Sequence, residues 1–202
     1  LAKNEGLTFD QRLAKRVLDL VVSIIALVIT SPVMLVIAIA IKAYDGGPVF
    51  FVQDRCTING KVFKIHKFRS MIENAEKDGE VIPATDDDAR ITPVGKIIRK
   101  TRLDELPQFF DILIGNMSVV GPRPERVEHV EKYVEEVPEF TYRMKVKGGL
   151  TGYAQIYGKY NTSAYDKLKL DLMYIQNYSI LLDLRLILMT VKIMFIKDST
   201  EG

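Results

Sequence analysis

Two adjacent carboxylates, Asp104 and Glu105, are the residues of this 202-residue chain whose types and setting first suggest chemistry. They follow a basic stretch that contains Arg99, Lys100 and Arg102. A carboxylate among cations stays ionised, so it can act as a nucleophile or bind a metal ion. Acidic residues also suit the first turn of a helix, where they contribute ~0.3–1 kcal/mol, so a purely structural role stays open for the pair.

A second candidate is Arg123, which stands between Pro122 and Pro124 in the run Gly121–Pro124. The prolines restrict the backbone before and after the arginine, so its guanidinium is presented with little backbone freedom left to lose. A guanidinium offers paired donors that match the oxygens of a phosphate. The same run also suits a rigid turn whose arginine pairs with a carboxylate, and both interpretations stay open from the residues alone.

Two further segments have the composition of anion sites. Lys67 and Arg69 share the basic stretch IHKFR, which could bind phosphate or face lipid headgroups. The glycine-rich loop Gly148–Gly152 precedes Gln155 and Lys159, and glycines let backbone N–H groups approach an anion. The chain has neither the GxxxxGK[ST] nor the GxGxxG phosphate motif, so we expect no P-loop or Rossmann phosphate cradle.

The composition narrows the classes of function. Lys and Arg number 28 against 26 Asp and Glu, which is too balanced for a protein that binds nucleic acid through its charge. The single cysteine, Cys56, excludes an internal disulfide and a zinc site built from several cysteines. With two histidines, His66 and His129, the side chains left for catalysis are carboxylates, lysines and arginines.

The apolar residues concentrate in Leu20–Ile41, a run of 22 residues without a charge. As a helix this run would be roughly 33 Å long, which is enough to cross the core of a bilayer. Ser31 and Pro32 stand in its middle, and Pro32 cannot donate to the carbonyl of Val28, so we expect a kink. The residues fit a kinked spanning helix and a re-entrant helix–break–helix equally, because both flanks are basic.

The remaining sequence predicts an α+β protein that is mostly helical. A hairpin is indicated by Val49–Val52 and Lys61–Lys67, joined at Asn59-Gly60. Glu73–Asp88 is acidic and polar, which is typical of a solvated loop. The predicted helices are Pro93–Lys100 with Thr92 as its N-cap, Asp104–Ile114, Pro124–Val137, Tyr165–Tyr178, and Ile180–Ile196, which carries charges and suits the membrane interface.

The order of these parts resembles the bacterial sugar transferase family, the monotopic phosphoglycosyl transferases. The resemblance covers nearly all of Lys15–Leu188, and its longest and most distinctive stretch is RITPVGKIIRKTRLDELPQFFDILIGNMSVVGPRPE. Further matching stretches are KRVLDLVVSIIALVITSPVML, GGPVFFVQDR, FKIHKFRSM, GLTGYAQIYGK and YSILLDLRLIL.

The resemblance implies an enzyme that transfers a sugar 1-phosphate from a UDP-sugar to a polyprenyl phosphate such as undecaprenyl phosphate. UMP is released, and the product starts a bacterial cell-surface glycan such as a capsule or exopolysaccharide. The resemblance also implies Mg²⁺ as cofactor and contact with membrane lipids, at the cytoplasmic face of the inner membrane; a homo-oligomer stays open.

The resemblance assigns roles to individual residues. Asp104 is the expected nucleophile, which becomes covalently linked to the phospho-sugar, and Glu105 is expected to hold Mg²⁺. Residues expected to bind substrate are Lys67, Arg69, Arg99, Arg123, Gln155, Lys159 and Asp183. The family's hydrophobic segment is re-entrant with its break at Ser-Pro, which corresponds to Ser31 and Pro32 and favours re-entrance here.

We therefore expect a lead-in at residues 1–14, a re-entrant membrane helix at 15–42 and a catalytic domain at 43–202. The absence of an initial methionine and the linker-like start predict that the chain is part of a larger membrane protein. Two positions depart from the family: Gly148 replaces a proline, and Lys159 replaces an arginine, which keeps the charge but loses the paired donors.

Two other functions compete with this one. A membrane-associated glycosyltransferase would move only the sugar and release UDP in place of UMP. A non-catalytic membrane scaffold would use the Asp-Glu pair as a helix cap and its arginines for lipid headgroups.

Overall fold

The structure, a computed structural model, describes residues 6–73, 75, 88–158 and 162–195. The predicted class, mostly helical α+β, is confirmed. The helices are α1 (Phe9–Asp45), α2 (Pro93–Lys100), α3 (Gln108–Ile114), α4 (Val127–Glu136), α5 (Tyr153–Tyr157), α6 (Ala164–Gln176) and α7 (Ile180–Phe195). The strands are β1 (Phe50–Cys56), β2 (Val62–Phe68), β3 (Ser118–Val120) and β4 (Gly149–Thr151), and short 3₁₀ helices cover Ile58–Gly60, Leu103–Glu105 and Pro138–Lys145.

Helix α1 begins earlier than the apolar run because Thr8 caps it. The Thr8 hydroxyl accepts the backbone N–H of Gln11 at 3.4 Å, and the Gln11 side chain accepts the backbone N–H of Thr8 at 2.9 Å. This reciprocal pair is a capping box, which satisfies donors that a helix start leaves open. Residues 9–14, expected as a lead-in, are therefore helical.

The backbone of α1 stays helical across Pro32. Pro32 has no N–H for the carbonyl of Val28, and the hydroxyl of Ser31 donates to that carbonyl at 3.0 Å in its place. The structure therefore has one uninterrupted helix where the sequence predicted helix–break–helix. The path of this helix relative to a bilayer stays a prediction.

One side of α1 is polar and buried against the rest of the protein. Lys15 forms an ion pair of 2.7 Å with Asp183 of α7, and Asp19 accepts hydrogen bonds from the Ser118 hydroxyl and the Val119 N–H at 2.9 and 2.8 Å. These contacts attach the start of the apolar helix to β3 and α7.

The other side of α1 exposes a continuous set of large apolar side chains. It includes Val21, Ile25, Val28, Leu35 and Ile39. By length and composition this helix could cross a membrane. An exposed apolar surface of this extent is expected to contact lipid or protein.

The hairpin predicted around Asn59-Gly60 is confirmed. Strands β1 and β2 pair antiparallel, from Phe50 opposite Phe68 to Cys56 opposite Val62. Asn59 and Gly60 have φ of 56° and 72°, the left-handed conformation that Asn-Gly adopts at low cost. Strand β1 extends further than the predicted Val49–Val52, so it includes Gln53 and Arg55 beside the site described below.

A parallel pair, β3 and β4, lies in the main core and has no counterpart in the sequence analysis. Ser118 is opposite Gly149, and Val120 is opposite Thr151. A side chain at Gly149 would place its Cβ 2.1 Å from the backbone nitrogen of Gly121, so the two loops approach closely because both residues are glycine. This pairing brings the Gly121–Pro124 run next to the glycine-rich loop.

Two apolar clusters position the hairpin. Phe63 and Ile65 of β2 pack in the main core with Val120 and Tyr174. Phe68, at the end of β2, packs in a second cluster with residues of α1 and α2: Met34, Ile37, Ile41 and Ile98. The hairpin is therefore fixed between the body of the protein and the second half of α1.

Candidate active site

The Asp104-Glu105 pair sits in a tight turn between α2 and α3. Thr92 caps α2 as predicted, since its hydroxyl accepts the N–H of Gly95 at 2.9 Å. After α2, Arg102 adopts φ of 57°, which turns the chain into the 3₁₀ helix that holds the pair. Helix α3 begins only at Gln108, so the prediction of one helix starting at Asp104 is wrong.

Neighbouring elements hold this turn in place. Asp111 of α3 is fully buried. Its carboxylate accepts a hydrogen bond from the backbone N–H of His66 at 2.9 Å and lies 2.8 Å from the Nδ1 of the same residue, so α3 is attached to β2. A side chain at Gly95 would collide with the backbone of Ser70, so α2 lies directly against the segment that follows β2. The turn that carries the carboxylates is thus supported from both sides.

Glu105 is the centre of a buried ion-pair cluster. Its Oε1 accepts hydrogen bonds from Lys67 Nζ at 2.7 Å and from Arg123 at 2.9 Å. Burial alone would favour the protonated acid, but the two cations outweigh it and hold the pKa of Glu105 well below its usual range. Three of the predicted site residues, from distant parts of the sequence, therefore meet at one oxygen atom.

Asp104 lies next to this cluster, but its carboxylate has different contacts from that of Glu105. In the described part of the chain, no side chain donates a hydrogen bond to its carboxylate. Burial raises the pKa of Asp104, partly offset by the charge of Lys67 and that of Arg99, while the charge of Glu105 raises it further. In its ionised form this carboxylate, which accepts no side-chain hydrogen bond within the described residues, is suited to attack an electrophile.

Asp104 opens into a cleft of about 580 Å³. The cations that line the cleft with it are Arg55, Lys67, Arg69, Arg99 and Arg126. Apolar side chains line the same cleft, among them Phe50, Phe51, Val52, Met71 and Ile72. The cleft can therefore hold a ligand that combines negative charge with apolar groups.

The donor set fits Mg²⁺ only together with a phosphate ligand. No group of three or more acidic, histidine or cysteine side chains suited to a metal occurs within the described ranges. Glu105 uses Oε1 for its two cations, which leaves Oε2 and the Asp104 carboxylate as oxygen donors. Mg²⁺ is commonly held by one or two carboxylates with water and substrate phosphates, so this pair fits that kind of site.

Comparison with known proteins places these residues in a known context. The chain matches the bacterial sugar transferase family over residues 10–197. The chain belongs to this family, as its resemblance predicted. UDP-glucose:undecaprenyl-phosphate glucose-1-phosphate transferases of Klebsiella pneumoniae and Escherichia coli (strain K12) are 48% and 44% identical over 92% and 89% of this chain.

These two relatives are longer proteins, of which the chain spans 41% and 40%. A shorter relative, the uncharacterized sugar transferase EpsL of Bacillus subtilis (strain 168), is 37% identical over 93% of this chain and 90% of its own length. The family therefore includes proteins of about this size as well as longer ones.

The structure brings some of the predicted family residues together and separates others. Lys67, Arg99, Arg123, Asp104 and Glu105 lie in or beside the cleft, and their roles stay predictions. Arg69 also lines the cleft. Its guanidinium is engaged by both carboxylate oxygens of Asp45 and by the Pro48 carbonyl, so it joins the end of α1 to β2.

Asp183 does not join this cluster. It is fully buried, with Lys15 at 2.7 Å and the Tyr174 hydroxyl at 2.8 Å, so its contacts are those of a residue that joins α1 to α7. Its assignment to substrate binding stays a prediction. A charged residue in an apolar helix can pair with a buried residue of opposite charge as readily as it can bind a ligand.

Gln155 and Lys159 follow the glycine-rich loop, and the structure describes only Gln155. Gln155 lies on α5, and its amide oxygen and nitrogen are buried without a hydrogen-bond partner among the described residues. Such a side chain is available to a ligand, and its substrate role stays a prediction. Lys159 lies outside the described residues.

Sequence reasoning missed two arginines. Arg55 of β1 donates to the Pro124 carbonyl at 3.1 Å and to Gln53 at 2.6 Å, and burial, with the charge of Arg123, lowers its pKa to about 10. The signal available was its place in the matching stretch GGPVFFVQDR. Arg143 donates to the Arg123 carbonyl, and nothing in its local sequence indicates this role.

Proposed function

We propose that this chain is the catalytic part of an undecaprenyl-phosphate sugar-1-phosphate transferase. It would take a sugar 1-phosphate from a UDP-sugar and release UMP. The observation that carries the proposal is the placement of Asp104 beside Glu105 with its Lys67 and Arg123 partners, while no side chain of the described residues donates to Asp104. The relatives that are named for this reaction, at 44% and 48% identity, support the same function.

The first step is attack by Asp104 on the phosphorus that carries the sugar. A bond forms between a carboxylate oxygen and that phosphorus, and the bond to the bridging oxygen breaks, so UMP leaves with the electron pair. The product is an acyl phosphate between Asp104 and the sugar, with the sugar–oxygen bond intact. No proton has to be removed from an ionised carboxylate, and none of the described residues that line the cleft is a histidine.

The second step restores the carboxylate. An oxygen of the polyprenyl phosphate attacks the same phosphorus, and the bond to Asp104 breaks. The lipid then carries a diphosphate linked to the sugar. Two in-line displacements invert the phosphorus twice, so its configuration is retained, whereas a direct transfer would invert it once.

The cations bind and orient the phosphates in both steps. Lys67 and Arg123 share Glu105, so each keeps donors that can turn towards a phosphate oxygen. Arg99 lines the cleft beside Asp104 and balances the charge of its carboxylate. Mg²⁺ held by Glu105 and Asp104 would neutralise part of the diphosphate charge.

The membrane setting belongs to the same proposal. A sugar nucleotide is soluble and a polyprenyl phosphate is not, so the cleft has to lie at a membrane surface. The exposed apolar side of α1 supports this position, with α1 re-entrant and the cleft on the cytoplasmic side of the bacterial inner membrane.

The test is a panel of UDP-sugars with undecaprenyl phosphate, in which UMP, UDP and lipid-linked label are measured. We expect UMP and labelled lipid in equal amounts. Release of UDP would identify a glycosyltransferase, and the absence of any transfer would leave a scaffold. Intact mass after incubation with the UDP-sugar alone should show a phospho-sugar adduct on Asp104, and Asp104→Asn should show neither adduct nor turnover.

A further inference from the structure

Exposed apolar side chains form one wall of the catalytic cleft, which we call the apolar wall: Phe50, Phe51, Val52 and Ile72. Each of these side chains is between 37% and 46% exposed. Of the residues that the structure describes, the two core clusters include none of these four. Partly exposed apolar residues that line a cleft beside a charged centre are suited to contact the apolar part of a ligand.

Phe51, one residue of the apolar wall, lies on the same face of the hairpin as the charged centre. Phe51 pairs directly across the hairpin with Lys67, and side chains of cross-strand partners lie on the same face of a sheet. Lys67 donates to Glu105 on that face. An apolar side chain and the cation that holds the acidic pair are therefore neighbours on one strand pair.

The apolar wall also connects with the membrane helix. The Phe50 ring stacks on Phe68 with a distance of 5.5 Å between ring centroids. Phe68 packs against Ile37 and Ile41 of α1. The end of the hairpin that carries Phe50 therefore lies directly against the membrane helix.

We infer that the apolar wall binds the first isoprenoid units of the acceptor lipid, with the lipid phosphate directed towards Lys67 and Arg99. The inference rests on the proposed function and assigns one of its two substrates to a defined wall of the cleft. The uracil of the donor is a poorer occupant, because the four side chains carry no hydrogen-bonding atom with which to recognise its edge. An isoprenoid chain needs only apolar contact.

The wall therefore contributes to acceptor binding and not to the first chemical step. Removing one large apolar contact should raise the KM for undecaprenyl phosphate about tenfold, which corresponds to ~1.4 kcal/mol. The KM for the UDP-sugar and the release of UMP without acceptor should stay as in the wild type. A phosphate acceptor with only two isoprenoid units, which reaches less of the wall, should be affected less.

The experiment uses the whole chain in lipid nanodiscs, with the UDP-sugar that the wild type accepts. The variants are Phe51→Ser and the smaller change Ile72→Thr, which keeps a β-branched side chain. Ile97→Thr is the matched control, since Ile97 is 65% exposed on α2 and does not line the cleft. Melting temperatures establish that each variant is folded, and Ile72→Thr keeps the test valid should Phe51→Ser not fold.

The outcomes separate this inference from the proposed function. A raised KM for undecaprenyl phosphate in the wall variants alone, with unchanged UMP release, supports the inference. A raised KM for the UDP-sugar, or an acceptor KM equal to that of Ile97→Thr, overturns it while the proposed function stands. A wild type that releases no UMP overturns the proposed function, and the inference with it.

Discussion

The guanidinium of Arg143 donates a hydrogen bond of 2.9 Å to the backbone carbonyl of Arg123. Arg143 is itself buried and fixed by an ion pair of 2.7 Å with Asp171 of α6. Arg123 in turn donates to Glu105, so one chain of contacts leads from α6 to the acidic pair. Arg143 thus acts as a positioning residue, which holds the backbone from which Arg123 reaches the site.

We predict that Arg143→Gln lowers kcat/KM for the UDP-sugar by about 10²-fold, the size of effect expected when a catalytic group moves by ~1 Å. The variant also leaves the Asp171 carboxylate buried without its partner, which typically costs ~3–5 kcal/mol of stability. Kinetics with the UDP-sugar and melting temperature, measured on the same sample, separate the two effects.

The control for this prediction is the double variant Arg143→Gln with Asp171→Asn, which removes both buried charges. We expect it to regain most of the melting temperature, and to stay impaired because the Arg123 carbonyl still lacks its donor. Full recovery of kcat/KM together with stability would show that Arg143 is only structural.

Replacement of Glu105 by glutamine tests the metal assignment. Glu105→Gln removes a carboxylate oxygen and leaves the charges of Lys67 and Arg123 uncompensated, so we expect kcat to fall by about 10²-fold or more. The Mg²⁺ concentration for half-maximal activity should rise as well. Glu136→Gln, on the exposed side of α4, is the matched control; an unchanged Mg²⁺ response in Glu105→Gln would exclude Glu105 as a ligand.

The parts of the fold that local signals specify were predictable. Helix α2 spans Pro93–Lys100 as predicted. Its start is specified locally, because Thr92 caps the helix and Pro93 occupies the first helical position. The hairpin turn at Asn59-Gly60 was predictable for the same reason, since both residues take positive φ easily.

Features that depend on distant partners were not predictable from the sequence. Strands β3 and β4 have three residues each, too few for a periodic pattern, and they pair across the intervening α4. The positive φ of Arg102, which turns the chain from α2 into the 3₁₀ helix, has no local signature in a non-glycine residue. The ion pair of Asp183 with Lys15 was not predicted because the two residues are 168 positions apart.

The same distinction applies to the candidate site. The acidic pair and Arg123 stand out by type and spacing, and the resemblance to a family extends this to Lys67 and Arg99. Arg143 acts by donating to the backbone carbonyl of Arg123. Because every residue has a backbone carbonyl, the sequence does not identify the partner of Arg143. Contacts of this kind leave no pattern that a single sequence can show.

Acid should destabilise the protein partly through Glu125. Burial opposes its ionisation, but Arg143 and Lys167, the latter at 3.1 Å, lower the pKa of Glu125 below its usual value of 4.5. A depressed folded-state pKa contributes stability that is present above the unfolded-state pKa and is lost as the pH falls through the folded-state pKa. Glu125→Gln should therefore lower the melting temperature most at pH 7.

The difference in melting temperature between wild type and Glu125→Gln should shrink steadily as the pH falls below about 4.5. Thermal unfolding of both proteins in one detergent, at pH values from about 7 to about 3, measures this difference. Glu136→Gln, which removes an exposed carboxylate, serves as the control and should show little difference at any pH. A gap for Glu125→Gln that is constant over this range would contradict the assignment.

The topology of α1 can be decided with single cysteines at its two ends. Leu13 and Tyr44 are both exposed and lie near opposite ends of the helix, and the native Cys56 is buried. With Cys56 replaced by alanine, Leu13→Cys and Tyr44→Cys should both be labelled only when a membrane-impermeant reagent reaches the cytoplasmic face. Labelling from opposite faces would show a spanning helix.

Pro32 is the residue on which the re-entrant path should depend. Without it, the carbonyl of Val28 could accept an N–H from position 32, and the Ser31 hydroxyl, which now donates to that carbonyl, would no longer be needed. Pro32→Leu should therefore restore the regular hydrogen bonding of α1, whose exposed apolar side is long enough to span, and move the label at Leu13→Cys to the other face. The Asp45–Arg69 ion pair holds the end of α1 to β2, so Tyr44→Cys should stay accessible from the cytoplasm and serves as the fixed reference. If Leu13→Cys keeps its cytoplasmic labelling in the Pro32→Leu background, the contacts of Lys15 and Asp19 with the body of the protein, and not the proline, determine the path of the helix.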